Sequence, residues 1–349
     1  METLKQNRPM AKKFLMDVVL IRLTLIFLLV LYHAFCPFTG DWEAPPAADF
    51  HPIGLYRWLG VFMHHFCLES MVYISGLLFG YTLTLHPERL TFQSCIVKKA
   101  KRILLPGLLF SVLYYLLFYD LSAPWFVILD TLFNGCGHLW FLPMIFWCFV
   151  ICYLLETWHV VSAPRVLAVS ALVLLLCEGP SVLGMERVPQ FFFYFYFGFA
   201  VKRGYMEFPV VRSWLRLLLL PVVYVVLCFC HEMVVGYSDV ETSISRYLSR
   251  QILLLCASSM IVFLYNLANR DGVKCWLTQR PWLITLSGYC YGVYIYQQFV
   301  LRYLYYKTSF AAVLPVELLP WMGFLVGLAL SLGLCHLTLK TRWGRYMIG

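Results

Sequence analysis

Apolar stretches, most about 18–25 residues long, follow one another along the chain and are broken by short segments that hold its charges, prolines and glycines. Hydrophobic and polar positions do not alternate in twos, which excludes the strand pattern of an outer-membrane barrel. The stretches also lack the polar face that a water-soluble helix carries. Their length suits a helix crossing a hydrocarbon layer roughly 30 Å thick. Ten spans follow, near 14–36, 57–82, 103–119, 138–156, 163–178, 188–201, 213–231, 251–268, 281–304 and 318–339, the fifth and sixth being short. The longest connections run to about 20 residues. The expectation is an all-α polytopic membrane bundle of about ten helices, forming one domain over residues 1–349.

Composition sharpens this reading. Of 349 residues, 61% are hydrophobic and 13% charged, and mean hydropathy is +0.75. The polar run before Phe14 and the long apolar stretch after it do not fit a cleaved signal peptide, so the first helix is expected to be retained. With ten spans, the N-terminus and the even-numbered loops share a side. Those segments, with the span ends that adjoin them, hold 20 of the 27 basic residues, including Lys98, Lys99, Lys101 and Arg102. The other side collects Asp41, Glu43, Asp49, Asp120, Asp130, Glu232, Asp239 and Glu241. The positive-inside rule then places both termini in the cytoplasm, and the net charge of +9 follows from topology and does not suggest nucleic-acid binding. The 13 cysteines fall mostly inside spans without a repeated ligand spacing, so they read as packing residues, and no metal is expected.

Candidate chemistry lies in the first two spans. Arg22 and His33 share the first helix, about 16 Å apart in depth and with a small rotational offset. An arginine at a helix centre costs roughly 2.5–3.5 kcal/mol even on lenient insertion scales, so such residues mark pathways or catalysis. Glu69 in the second span falls near the depth of Arg22, where a pair would ease both charges, and His64 and His65 lie nearer His33. These residue types alone fit either an enzyme or a proton-coupled transporter or flippase. Gly76-x3-Gly80 and Gly323-x3-Gly327 are the small-residue spacing that lets helices pack closely.

Six segments follow one another along the chain as a recognisable series. They are the Arg22-x10-His33 spacing; LESMVYISGLLFGY with Glu69, Tyr73, Ser75 and Gly76; and IVKKAKRILLPGLLF with Arg102 and Pro106. GHLWFLPMIF, FFFYFYFGFAVKRG and SGYCYGVYIYQQFV complete the series, and in this order the six resemble the acyltransferase-3 family of bacterial ten-helix membrane O-acyltransferases. The chain departs from the family pattern at Lys99, where arginine is usual and Lys offers no bidentate fork, and at Gln297, where histidine is common.

That resemblance implies acetyl-coenzyme A, or another acyl-CoA, as cytoplasmic donor and a hydroxyl of a cell-envelope glycan or lipid-linked precursor as acceptor. It implies the bacterial inner membrane as location. Arg102, Lys99 and Lys98 would hold the donor's phosphates. Arg22 would bind a phosphate or polarise the thioester, His33 would act as general base or transient acyl carrier, and Glu69 would orient one of them. His64, His138, Trp140 and Tyr294 would line the acceptor side. The alternative remains a transporter or flippase of envelope glycan or lipid-linked intermediates, without covalent chemistry.

Overall fold

In the computed structural model, which describes residues 3–46, 48–158, 162–236 and 243–348, the apolar stretches become helices and no strand occurs among the described residues. Asp239 and Glu241 lie outside them. In chain order the helices are α1 (Thr3–Thr39), α2 (Gly54–Leu85), α3 (Leu105–Phe118), α4 (Trp125–Asn134), α5 (Phe141–Trp158) and α6 (Ala163–Leu176). They continue with α7 (Val188–Arg203), α8 (Trp214–Gly236), α9 (Ser243–Ala268) and α10 (Asp271–Thr278). The last are α11 (Trp282–Gly288), α12 (Cys290–Lys307), α13 (Leu319–Lys340) and α14 (Arg342–Ile348).

Seven segments are long and apolar enough to cross a bilayer: Met16–Thr39, Gly54–Leu85, Gln93–Phe118, Gly137–Trp158, Trp214–Gly236, Ile244–Ala268 and Leu319–Lys340. The other three expected spans fold as α6, α7 and α12, of 14, 16 and 18 residues. On α8, Leu215, Leu218, Leu219, Val222, Val226 and Met233 are each more than half exposed. Water would penalise such a stripe, whereas lipid covers it at no cost. The protein is an all-α integral membrane bundle.

Three local features depart from the expected spans. The ninth is split at Tyr289 into α11 and α12, directly after Ser287–Gly288, a pair that weakens a helix against bending. The basic segment expected as a loop before the third span is already helical. Two π-helical turns, Gln93–Val97 and Ala100–Leu104, lead into α3, so Lys98, Lys99, Lys101 and Arg102 project from a helix. The segment read as a connection after the third span contains α4, ten residues long, apolar and too short to cross.

The chain forms two compact units, residues 1–70 with 209–339 and residues 71–208 with 340–348, and α2 contributes to both. In the first, α1 packs against α9, α10, α11 and α12, and α8 pairs with α9. The lower end of α1 is set by Met16 and Val19 against Leu277 and Leu283, and by Lys274 Nζ 3.5 Å from Asp17 Oδ2. Gly323 accommodates the Tyr305 hydroxyl where a Cβ would come within 2.0 Å, and Gly327 accommodates Leu301.

In the second unit the C-terminal half of α2 lies against α7. A Cβ on Gly76 would meet the Phe195 carbonyl oxygen at 1.9 Å, and one on Gly198 the Tyr73 carbonyl oxygen at 2.1 Å. Both small-residue repeats thus sit at close helix contacts. Glu156 Oε1 accepts from Arg203 Nη2 at 2.6 Å, Arg203 Nε at 3.1 Å and the Tyr205 hydroxyl at 2.7 Å. Burial and the neighbouring carboxylate hold the Tyr205 hydroxyl above the ordinary phenol range. Glu156→Ala would leave the Arg203 guanidinium without its partner and should destabilise the fold by about 3–5 kcal/mol. Unfolding by SDS titration in mixed micelles reads this, and a loss under about 1 kcal/mol would show the network to be dispensable.

Candidate active site

His33 projects from the C-terminal part of α1 and is 7% exposed. Its Nδ1 lies 2.9 Å from the Leu29 carbonyl oxygen, one turn back. A carbonyl only accepts, so Nδ1 carries the proton and basicity resides at Nε2. The chain after α1 folds back over this imidazole. Trp42 N donates to the Cys36 carbonyl at 3.2 Å, and the Trp42 ring stacks on His33 with centroids 5.9 Å apart. The turn is pinned by Asp41, whose Oδ2 accepts from the Tyr32 hydroxyl at 2.9 Å and also from Thr39 Oγ1.

From α12, the Arg302 guanidinium lies 5.4 Å from the Trp42 ring and 5.6 Å from the Tyr306 ring. The Tyr305 hydroxyl donates to the Ala34 carbonyl at 3.0 Å, and the Tyr306 hydroxyl to the Glu43 carbonyl at 2.6 Å. His64 is exposed, and its ring stacks on Tyr32 at 4.8 Å. The helix-one histidine therefore sits in a shell of aromatic rings with a second guanidinium one ring away.

Arg22 is half-buried and makes no ion pair among the described residues. Its charge reaches the Cys290 thiol at the start of α12, while that of Arg302 reaches Cys36. The two helices therefore run side by side in the same direction. Interpolating along them at about 1.5 Å per residue places Gln297 within a turn of Leu29, between the depths of Arg22 and His33. Gln297 is fully buried, and neither of its side-chain amide atoms has a hydrogen-bond partner. Buried amides are normally paired, so an orphaned one marks a place for a small polar guest. Tyr294, one turn earlier, is buried too.

The expected Arg22–Glu69 pair does not form. Cys67 Sγ contacts the Leu25 carbonyl at 3.7 Å, which fixes the antiparallel register of α2 on α1 and puts Glu69 at the depth of Arg22, as expected. Two residues further on, however, is a rotation of about 200°. Glu69 therefore turns away from the α1 contact toward α9, where its charge reaches Cys256, and its Oε2 is buried without a hydrogen-bond partner.

The remaining candidates belong to the second unit. Lys98, Lys101 and Arg102 are exposed, whereas Lys99 turns inward with Nζ 4.0 Å from the Phe149 ring centroid. Its charge is engaged by an aromatic face, while the other three remain turned outward. His138 is buried in a 3₁₀ turn, Gly137–Trp140, at the head of α5. The Arg187 guanidinium lies 4.1 Å from the Trp140 ring centroid, so one face of that indole is already covered.

Across residues 17–340 the sequence matches the acyltransferase domain model of Acyl_transf_3. The chain belongs to the acyltransferase-3 family. No curated protein and no solved structure matches it. The protein is thus a membrane acyltransferase. Two positions that the family resemblance singled out are also structurally distinctive: Lys99 turns inward, and the side-chain amide of Gln297 is buried with no partner. Sequence reading missed Trp42, Arg302 and Tyr306. Arg302 did carry a signal, since a cation inside an aromatic, largely apolar stretch invites the same cost argument as Arg22.

Proposed function

We propose that this acyltransferase moves an acyl group, acetyl foremost, from cytoplasmic acyl-CoA to a hydroxyl of a cell-envelope glycan or its lipid-linked precursor, in the bacterial inner membrane with both termini cytoplasmic. The observation that carries the reading is the buried His33, whose Nδ1 is committed to Leu29 so that Nε2 is the basic nitrogen. In this scheme Nε2 takes the proton of the acceptor hydroxyl as oxygen attacks the thioester carbonyl, and coenzyme A leaves as the thiol. Arg22, with no carboxylate partner, stabilises the negative charge that develops on the thioester oxygen or holds a donor phosphate. Gln297 orients the reacting group between them. Arg102, with Lys98 and Lys101, binds the donor's phosphates on the cytoplasmic side, and Lys99 supports that helix.

The test uses the full-length protein in lipid nanodiscs with acetyl-CoA and envelope glycans, following free thiol. Wild type should release thiol. Arg102→Ala should raise KM for acetyl-CoA roughly 10-fold with kcat preserved, as loss of one charge-assisted contact implies. Arg22→Ala should cut kcat by about 100-fold or more. Absence of thiol release, with gradient-driven movement of a lipid-linked saccharide instead, would favour the flippase reading and overturn this one.

A further inference from the structure

A second cluster of titratable groups lies on α2 and α8. One donor atom each from His65, His231 and Glu232 lies within 4.8 Å of the other two. His65 and His231 have ring centroids 4.7 Å apart, and His231 Nδ1 is 3.6 Å from Glu232 Oε1. Two of the nitrogens, His65 Nε2 and His231 Nδ1, are buried and have no hydrogen-bond partner. A buried orphan of this kind is costly, and two of them beside a carboxylate call for something that accepts several lone pairs at once.

The surroundings hold these groups as outer partners hold metal ligands. His231 Nε2 lies 2.8 Å from Ser249 Oγ, so an Nε2–H donating there leaves the Nδ1 lone pair aimed inward. Glu232 Oε2 is engaged by Arg57 Nη2, which leaves Oε1 for the cluster. We propose that His65, His231 and Glu232 form a binding site for a divalent transition-metal ion, zinc foremost, tying α2 to α8. Two imidazoles and one carboxylate, with a fourth position open, are a ligand set that zinc takes, whereas magnesium and calcium prefer oxygen alone. Metal–ligand bonds of about 2.0–2.1 Å give a tetrahedral edge of roughly 3.4 Å, so closure needs side-chain movements of about 1 Å. The tie would brace α8, the helix with the broad lipid-facing stripe.

The experiment uses full-length protein purified in detergent without a polyhistidine tag, stripped with chelator, then given Zn2+ or Co2+ and desalted. Wild type should retain one equivalent of zinc by elemental analysis, show visible absorption with Co2+, and melt at a higher temperature with Zn2+ than without. His65→Ala and the near-isosteric Glu232→Gln should each weaken binding at least 10-fold and abolish the thermal shift, while His51→Ala, at an exposed histidine paired with Glu317, should change nothing. Wild type that holds substoichiometric zinc, or zinc retained equally by Glu232→Gln, overturns the proposal.

Discussion

His33→Ala should abolish acyl transfer while the protein still extracts from membranes as a folded, monodisperse species. Loss of a positioned general base lowers a rate by about 100- to 10,000-fold. The fold loses little, because the hydrogen bond to Leu29 and the ring contacts with Trp42 and Tyr32 belong to one side chain in a wall of aromatic rings that stays otherwise in place. His33→Asn separates these roles. Its amide can still donate to the Leu29 carbonyl but supplies no titratable nitrogen, so it should be as inactive as alanine and closer to wild type in stability. The comparison is acyl transferred per minute against melting temperature for all three proteins. Either variant working within about 10-fold of wild type would remove His33 from the chemistry.

Gly76→Val should be the most damaging single substitution among the glycines of the second unit. The atom a Cβ would strike is the Phe195 carbonyl oxygen, with the Phe195 carbonyl carbon at 2.8 Å and Cα at 3.1 Å. These belong to the backbone of α7 and cannot swing aside as a side-chain tip can. The helices must separate, and the loss exceeds the usual 1–3 kcal/mol of overpacking. Gly333 in α13 gives the control, since nothing lies within 4 Å of its Cβ position. There Gly333→Ala should be neutral or stabilising by up to about 1 kcal/mol, through helix propensity. Thermal denaturation followed by size-exclusion chromatography reads both, and a normal melt for Gly76→Val would show that α2 does not need its close approach to α7.

Particular residues show where sequence reading stopped. Length and hydropathy located a helix at every expected span, because in lipid each backbone group must be satisfied within its own helix. Depth was legible as well: antiparallel counting put Glu69 level with Arg22, and the Cys67–Leu25 contact agrees. Rotation was not. One face of α2 meets α1 and the opposite face does not, and no charge pattern in the sequence distinguished Cys67 from Glu69 as the residue on the contact side. Lys99 shows the same limit. It stands in a run of basic residues, yet it alone turns inward, onto Phe149, fifty residues later in the chain.

The residues that surround His33 were hidden for a different reason. Trp42 is an ordinary residue for a membrane interface, and the conspicuous cation Arg302 lies so far along the chain that nothing in the sequence tied it to His33. They become part of one site because the turn after α1 folds back while α12 runs parallel beside it. The pairing of His65 with His231 and Glu232 is equally invisible to spacing, since its members sit on helices brought together by packing.

Helix content, membrane class and the Arg22–His33 axis are properties of single segments, set by local hydropathy and a repeat of 3.6 residues per turn, so reading the chain alone was enough for them. Which side chains share a face, which charges go unpartnered and which donor atoms converge depend on the rotation and register of one helix against another. Those are decided by contacts such as glycine against carbonyl and tyrosine against glycine, between residues far apart along the chain.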